Sequence, residues 1–218
     1  MAVTASSPAA EEYLQAIYTL ADEGSSVISA RLAAFLAVSP AAVSEMLHRL
    51  ERDGLVEFDT RKEVRLTKRG HELASHVIRR HRLAERMLVD LLGYEWWKTH
   101  EEAERIEHAM SEEMEERLVR VLGNPQTCPH GNPMPGLRGR ATKPLEQVRE
   151  GERATVERIP DQFEHEPGFL EYLDSQGLRP GVEVRVVAKP GRDGMRVEIA
   201  GVARTIRGDC GQKVWVRA

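Results

Sequence analysis

Apolar positions in the first 70 residues recur at helical spacing and then give way to two short apolar runs. Residues 9–22, "AAEEYLQAIYTLAD", show the helical spacing and predict a first helix. A second helix is predicted in "SARLAAFLAVS", where Ser29 is a plausible N-cap. A third is predicted in "SPAAVSEMLHRLERDG", because Ser39 can cap it, Pro40 suits its first position and Gly54 ends it. The segments "LVEF" and "EVRLT" predict two strands joined by "DTRK", so the whole order predicts a winged helix-turn-helix.

The helical spacing resumes after the wing. A long helix is predicted from Thr67 to about Leu92, and another from about Trp96 to Met110. Ser111 is a plausible cap for a further helix through Leu122. Because these helices carry more apolar surface than a small wing can cover, we expect them to form a homodimer interface.

The residue composition and the spacing of apolar positions change after residue 122. Residues 123–144, "GNPQTCPHGNPMPGLRGRATKP", are rich in Pro and Gly and indicate either a linker or a stiff loop with a function. Beyond them, strands are predicted in "GERATVERI", "GVEVRVVAK", "MRVEIA", "VARTI" and "KVWVRA", with a helix in "EPGFLEYLDSQG".

The predicted fold class is a mainly α N-terminal part, winged helix-turn-helix plus helical dimerisation domain, followed by a small SH3-like β-barrel. The predicted domains are residues 1–70 for DNA binding, 71–140 for metal binding and dimerisation, and 141–218 for the SH3-like part.

Composition argues against a membrane protein and a secreted, disulfide-rich protein. No stretch approaches the roughly 18 to 20 apolar residues that a membrane span needs, and the N-terminus lacks the basic and apolar regions of a secretory signal. The two cysteines, Cys128 and Cys210, fit no disulfide scaffold, so we expect a reducing cytoplasm. The net charge is −4, so a nucleic-acid surface must be local, and arginine and lysine are denser in residues 49–86.

The third predicted helix would be the recognition helix, whose N-terminal residues reach base edges in the major groove. It would present to DNA the side chains of Ser39, Ala41, Ala42, Ser44, Glu45, His48 and Arg49. The wing residues Arg61, Lys62 and Arg65 would contact phosphates. The alternative is that the three helices are only a packing module and that these charges form a solvated face.

The stretch "HEEAERIEH", residues 100–108, raises a metal site as a second possibility. At about 100° per residue, His100, Glu104, Glu107 and His108 fall within roughly one 100° arc of a helix. Two further donors on the preceding helix, His81 and Glu85, are also one turn apart. The alternative is a solvated acidic face, but closely spaced carboxylates repel one another and a cation removes that repulsion.

A catalytic function would require motifs of another class. "HEEAE" begins like the zinc-protease helix H-E-x-x-H, but Glu104 stands where the second histidine is required. The sequence shows no Gly-rich phosphate loop and no nucleophile elbow, so an enzyme is not expected. A metalloenzyme with a helical carboxylate and histidine site remains the alternative from another class.

The sequence resembles the diphtheria-toxin-repressor family of metal-dependent transcriptional repressors over nearly its full length. The matching motifs are "EEYLQAIYTL", "LERDGLV", "LTKRGHELA", "HRLAERML", "HEEAERIEHAMSEEMEERL", "CPHGNPMPG" and "YLDSQGLRPGVEV". The resemblance implies a cytoplasmic, homodimeric repressor of metal-uptake genes that binds a palindromic double-stranded operator, with no membrane and no small organic substrate as partner.

The resemblance also implies two metal sites in each protomer. The primary, activating site would take Glu12, Glu104, Glu107 and His108. The ancillary site would take His81, Glu85 and His100, with Cys128 and His130 from the Pro/Gly-rich segment as further ligands unless that pair is a loop turn with a stray thiol. The SH3-like domain would add His165 and Glu166.

The metal expected from the resemblance is Mn(II). The iron-sensing branch carries methionine and cysteine where this sequence has Glu12 and Glu104, and hard carboxylates suit manganese better than soft sulfur donors do. One form of the manganese branch has a further glutamate where this sequence has Gln15. This difference weakens the case for a binuclear manganese site in this protein. Fe(II) is the second choice, and Co(II), Ni(II), Cd(II) or Zn(II) would substitute in vitro.

Overall fold

The structure is a computed structural model that describes residues 7–191 and 193–217. The chain divides into two compact units, and each is described by itself. The first contains the chain through His81 together with Ile106–Met110, and the second contains Arg82–Arg105 and the chain from Ser111 onward. Helices α4 and α5, whose bounds are given below, contribute residues to both units.

The first unit is built on three helices, α1 (Pro8–Asp22), α2 (Ser29–Phe35) and α3 (Pro40–Arg52). The Ser39 hydroxyl accepts a hydrogen bond from the Ala42 amide at 3.2 Å, which caps α3 as the sequence predicts. The cap Ile28, rather than Ser29, precedes α2, and its side chain makes no capping hydrogen bond. The helices pack around a shared apolar core whose fully buried members include Leu14, Ile17, Leu20, Leu32, Leu47 and Leu50.

The predicted wing is a two-stranded antiparallel hairpin, β1 (Val56–Phe58) and β2 (Val64–Leu66). Asp59 fixes its turn, since one carboxylate oxygen accepts from the amides of Arg61 at 2.8 Å and Glu63 at 3.0 Å. The Glu63 amide is the largest reason that the pKa of Asp59 is lowered, with Arg65 adding to the effect. Lys62 adopts a left-handed conformation, with φ of 61°, at the tip of the wing.

The long helix predicted to reach about Leu92 is shorter in the structure. Helix α4 spans Lys68–Arg86 and is followed by a π-helical turn, Met87–Leu91. Helix α5 covers Thr99–Glu107 after a 3-10 turn at Trp96–Lys98, so it ends before His108. Helix α6 spans Glu112–Val121, and the Ser111 hydroxyl caps it by accepting from the Met114 amide at 3.2 Å.

The second unit contains a six-stranded antiparallel sheet in the order β3-β8-β4-β5-β6-β7. Its strands are β3 (Lys143–Pro144), β4 (Arg153–Arg158), β5 (Glu183–Gly191), β6 (Gly194–Ile199), β7 (Val202–Ile206) and β8 (Trp215–Arg217). Three helices lie between strands: α7 (Asp161–Glu164), α8 (Phe169–Gln176) and α9 (Cys210–Lys213). The predicted strands and helix are confirmed within a few residues, whereas α7, α9 and β3 were not predicted. The predicted fold class, a mainly α N-terminal part followed by a small β domain, is confirmed, but the six strands form an open sheet rather than a closed barrel.

The Pro/Gly-rich segment is a structured loop rather than a linker. Arg86 donates to the carbonyl oxygens of Thr127 at 2.8 Å and Cys128 at 3.2 Å. The buried guanidinium of Arg82 donates to the Pro133 carbonyl and to Asp161, the latter at 2.6 Å. Burial lowers the pKa of Arg82, but Asp161 and other nearby groups outweigh that effect and raise it. Two arginines of one helix therefore hold the loop in place.

Among the described residues, no single helix is both long and apolar enough to cross a membrane, and one bent pair, Ser29–Phe35 with Pro40–Arg52, meets the criteria of length and composition only.

Candidate metal centre and nucleic-acid interface

Four donor atoms of the second unit form a ring in which carboxylate oxygens alternate with imidazole nitrogens. Glu85 Oε1 lies 3.1 Å from His130 Nδ1 and 3.5 Å from His100 Nδ1. Glu164 Oε2 lies 3.4 Å and 3.1 Å from the same two nitrogens. Glu85 and His130 are fully buried, Glu164 is 1% exposed and His100 is 9% exposed. We call these four residues, with the adjacent buried thiol of Cys128, the enclosed centre.

The side chains of the enclosed centre are oriented by bonds from the surrounding fold. His130 Nε2 donates to the Trp96 carbonyl at 3.0 Å, which leaves Nδ1 of the neutral ring with a lone pair directed at Glu85 and Glu164. Asn132 donates to Glu164 Oε1 at 2.7 Å, so that the other carboxylate oxygen faces the imidazoles. This arrangement is typical of a metal site, where a partner on the far side of each ligand sets its orientation.

The protonation of the centre reflects its negative charge. Burial lowers the pKa of His130, but the carboxylates of Glu164 and Glu85 outweigh this effect and hold that pKa well above its usual value. Burial, together with the Glu85 carboxylate, raises the pKa of the Cys128 thiol to about 11. The two buried carboxylates of Glu85 and Glu164 therefore favour positive charge at this centre.

The donor set fits a divalent cation. An ion with bonds of about 2.0–2.2 Å separates its neighbouring ligand atoms by roughly 3–3.6 Å, and the four edges of the ring measure 3.1–3.5 Å. Donor atoms of Glu85, Cys128 and His130 also lie within 4.8 Å of one another. Carboxylates and neutral imidazoles suit divalent first-row metals, and the thiol adds a softer donor.

A second group of donors in the same unit is open to solvent. His100 Nε2 lies 3.1 Å from His165 Nδ1, and Glu104 Oε1 lies 3.6 Å from each of these nitrogens. Glu104 is 48% exposed and His165 is 35% exposed. Glu166, also predicted as an ancillary ligand, pairs instead with Lys213 at 2.5 Å.

The remaining predicted ligands lie in the first unit, where the end of α5 meets α1 and α4. Glu107 is buried, accepts from Gln15 at 2.9 Å and lies 2.5 Å from His81 Nδ1. His108 lies just beyond α5 and pairs with Glu11 at 2.7 Å. Glu12 is exposed on α1.

The candidate DNA surface is also in the first unit. In α3, Val43, Leu47 and Leu50 face the core. Every predicted base-contacting residue is exposed, as are the three wing cations: Ser39, Ala41, Ala42, Ser44, Glu45, His48, Arg49, Arg61, Lys62 and Arg65. Arg65 differs from the other wing cations because it is paired with Asp59 at 3.0 Å.

Sequence comparison assigns each part of the chain to a described family. Residues 6–64 match "Iron dependent repressor, N-terminal DNA binding domain", and residues 67–136 match "Iron dependent repressor, metal binding and dimerisation domain". Residues 143–218 match the FeoA domain, which is SH3-like. The iron-dependent repressor IdeR of Mycobacterium tuberculosis is 39% identical over 204 residues, which cover 88% of each chain. This chain belongs to the diphtheria-toxin-repressor family.

Two further members of the diphtheria-toxin-repressor family extend the comparison. The diphtheria toxin repressor of Corynebacterium diphtheriae is 39% identical over 215 residues, 90% of this chain and 95% of its own. A solved manganese-dependent transcriptional repressor in complex with manganese is 36% identical, with a TM-score of 0.84 over 96% of this chain and 99% of its own. The family thus includes relatives named for iron and for manganese.

Sequence reasoning missed Glu164 in this family member. It selected His165 and Glu166 from "FEHE", whereas the structure buries Glu164 and directs it at His100 and His130. It also missed Glu11 and Gln15 as contacts of His108 and Glu107. The sequence showed that Glu164 and Glu166 flank His165 on both sides. Only the burial of Glu164 in the structure distinguishes it from Glu166 as a candidate ligand.

Proposed function

We propose that this protein is a metal-activated transcriptional repressor that responds to Mn(II) and controls metal-uptake genes. The observation that carries the metal dependence is the enclosed centre, where the oxygens of two buried carboxylates lie 3.1–3.5 Å from the nitrogens of two imidazoles. The preference for manganese rests on Glu12 and Glu104, hard donors at positions where the iron-sensing branch has methionine and cysteine.

The proposed ligands of the activating ion are the four that the resemblance implies: Glu12, Glu104, Glu107 and His108. Contacts within the first unit support a role for α1, because Glu107 meets Gln15 and His108 meets Glu11, the residue beside Glu12. For the ancillary ion we propose Glu85, Cys128, His130 and Glu164.

Repression requires two copies of the recognition helix on one operator. The second unit exposes Leu91, Leu92, Tyr94 and Val121, each at least 42% accessible, which supports the proposal that a homodimer covers them. A two-fold dimer places its recognition helices in successive major grooves of a palindromic site. When bound, the activating ion would neutralise the carboxylates and favour this arrangement over looser ones, because it binds this arrangement more tightly.

The test is operator binding measured at fixed salt with excess chelator, with Mn(II) and, under anaerobic conditions, with Fe(II). We expect tight binding with Mn(II), weaker activation by Fe(II) and only non-specific binding with chelator. Equal affinity with and without metal would reject metal control. If Fe(II) activated binding at a lower free concentration than Mn(II) does, the iron-responsive alternative would be favoured. The relatives named for iron are the reason to test this alternative.

The wing variant Arg61→Ala/Lys62→Ala should reduce the salt dependence of operator binding. Removing one cation that neutralises a phosphate lowers the slope of log K against log salt by about 0.9, and both side chains are exposed at the tip of the wing. The matched control is Arg153→Ala/Arg185→Ala, which removes the same charge from exposed positions of the sheet. An equal change in slope in both variants would assign the effect to net charge rather than to wing contacts.

A metalloenzyme is the alternative of another class. It would show turnover without DNA, whereas the family to which the chain belongs is one of transcriptional repressors.

A further inference from the structure

His100 presents its two ring nitrogens to two different groups of donors. Nδ1 faces the enclosed centre, where Glu164 Oε2 is 3.1 Å away. Nε2 faces outward to His165 Nδ1 at 3.1 Å and Glu104 Oε1 at 3.6 Å. A neutral imidazole has one N–H and one lone pair, so His100 can serve as a ligand on one side only.

The spacing of the outward group is within about 0.2 Å of that of a tetrahedral metal site. The three distances between its donor atoms are 3.1, 3.6 and 3.6 Å. A tetrahedral zinc ion with bonds of about 2.0–2.2 Å holds its ligand atoms roughly 3.3–3.6 Å apart. Three protein ligands with an open fourth position are the arrangement in which a water molecule completes the coordination.

The inner contact of His100 supports this use of Nε2. If Nδ1 carries the proton, it donates to Glu164 at 3.1 Å and leaves the Nε2 lone pair for an ion. A carboxylate that accepts from the far nitrogen of a metal-bound histidine is a recurrent feature of zinc sites. Because Glu85, Cys128, His130 and Glu164 remain for the enclosed centre, His100 is not required there.

The outward group lies in an open cavity of about 620 Å³ with an excess of acidic side chains. Five glutamates line it, against one lysine and one arginine: Glu101, Glu104, Glu164, Glu166, Glu171, Lys98 and Arg105. The two cations are themselves paired, Lys98 with Glu95 at 3.2 Å and Arg105 with Glu102 at 2.7 Å. The cavity thus attracts cations and gives a hydrated ion access.

We propose that His100, Glu104 and His165 form a further, solvent-facing site for a divalent cation of the zinc, cobalt or nickel class. Two imidazoles and one carboxylate favour these ions over manganese, which suits sites richer in oxygen. An ion here joins α5 to the segment between α7 and α8. It also engages Glu104, which the proposed function assigns to the activating ion, so the two sites compete for this carboxylate.

The proposal is tested by titrating the full-length protein with Co(II) and Zn(II) and counting bound equivalents. His165→Ala is the informative variant, because His165 is a proposed ligand of neither the activating ion nor the enclosed centre. We expect this variant to lower the affinity for one bound equivalent of metal by about 100-fold or more. It should also remove the ligand-field absorption of the Co(II) ion that is bound by nitrogen and oxygen ligands alone. The thiolate-to-cobalt charge-transfer band, which depends on Cys128, should remain.

His48→Ala is the matched control, since His48 is exposed and belongs to none of the donor groups described. His165→Gln is a second variant that retains hydrogen-bonding capacity, and it should lose the same equivalent. Unchanged equivalents and affinities in both His165 variants would overturn the proposal and make Glu104 and His165 a simple ion pair. Loss of the charge-transfer band would also overturn it, by placing His165 in the enclosed centre. Because the readout is metal binding without DNA, a failure of the repressor proposal leaves this result unaffected.

Discussion

Replacing Glu85 by glutamine is expected to weaken divalent-metal binding at the enclosed centre by about 100-fold or more. Substituting groups that merely orient a ligand costs about 10- to 100-fold, and Glu85 is a proposed ligand. Its carboxylate is fully buried and contacts both His130 and His100, and glutamine keeps the shape while removing the charge. The measurement is the affinity in competition with a chromophoric chelator, together with the rise in melting temperature that Mn(II) or Zn(II) produces.

Without metal, Glu85→Gln should also change how the stability of the fold depends on pH. Since Glu164 and Glu85 hold the pKa of His130 above its unfolded value, the protonated ring stabilises the fold fully below about pH 6.5. This contribution disappears as the pH rises through the raised folded pKa. The metal-free variant should therefore lose stability mainly at acidic pH, whereas its deficit in metal binding should be largest at higher pH, where protons no longer compete with the ion.

The control for Glu85→Gln is Glu72→Gln, on the same helix but 66% exposed. It should change neither metal affinity nor the pH profile. If Glu85→Gln bound metal as the unmodified protein does, the enclosed centre would be a structural network of ion pairs and not a metal site.

Replacing Gly131 by alanine should destabilise the second unit by about 2–5 kcal/mol. The φ of Gly131 is +90°, a left-handed conformation that costs an L-residue about 1–2 kcal/mol. A Cβ there would lie 2.0 Å from the Glu157 carbonyl oxygen and 2.8 Å from Arg158 Cα. Because both obstacles are backbone, the loop must move, and such overpacking adds about 1–3 kcal/mol.

Denaturant unfolding followed by tryptophan fluorescence measures this effect selectively. All three tryptophans, Trp96, Trp97 and Trp215, belong to the second unit. The matched control is Gly136→Ala, where φ is +82° but no atom lies within 4 Å of the added Cβ. It should cost only the conformational part, about 1–2 kcal/mol. Equal losses in the two variants would show that the close approach to Glu157 contributes nothing.

The Gly131 substitution should also weaken metal binding. His130 precedes it, and the His130 carbonyl accepts from the Ile159 amide at 2.9 Å. Moving the loop away from β4 therefore moves a proposed ligand away from Glu85 and Glu164. This loss in metal affinity is not expected for Gly136→Ala.

Local features of the sequence determined most of the secondary structure. Ser39 and Ser111 cap their helices as predicted, because an N-cap depends only on a side chain and the amides two or three residues later. Helical spacing likewise placed His100 and Glu104 one turn apart, and the structure holds them at 3.6 Å. The helix itself places residues four apart on the same face, so sequence periodicity is sufficient to predict that these two side chains are neighbours.

Tertiary structure decided which donors meet. Glu164 and Glu166 flank His165 symmetrically in sequence, but Glu164 is buried and fixed by Asn132, 32 residues away, whereas Glu166 pairs with Lys213, 47 residues away. The Pro/Gly-rich segment is ambiguous between linker and loop in the sequence, and hydrogen bonds from Arg82 and Arg86 make it a loop. Convergence of distant segments depends on packing and on the pairing of buried charges, and neither leaves a periodic signal along the chain.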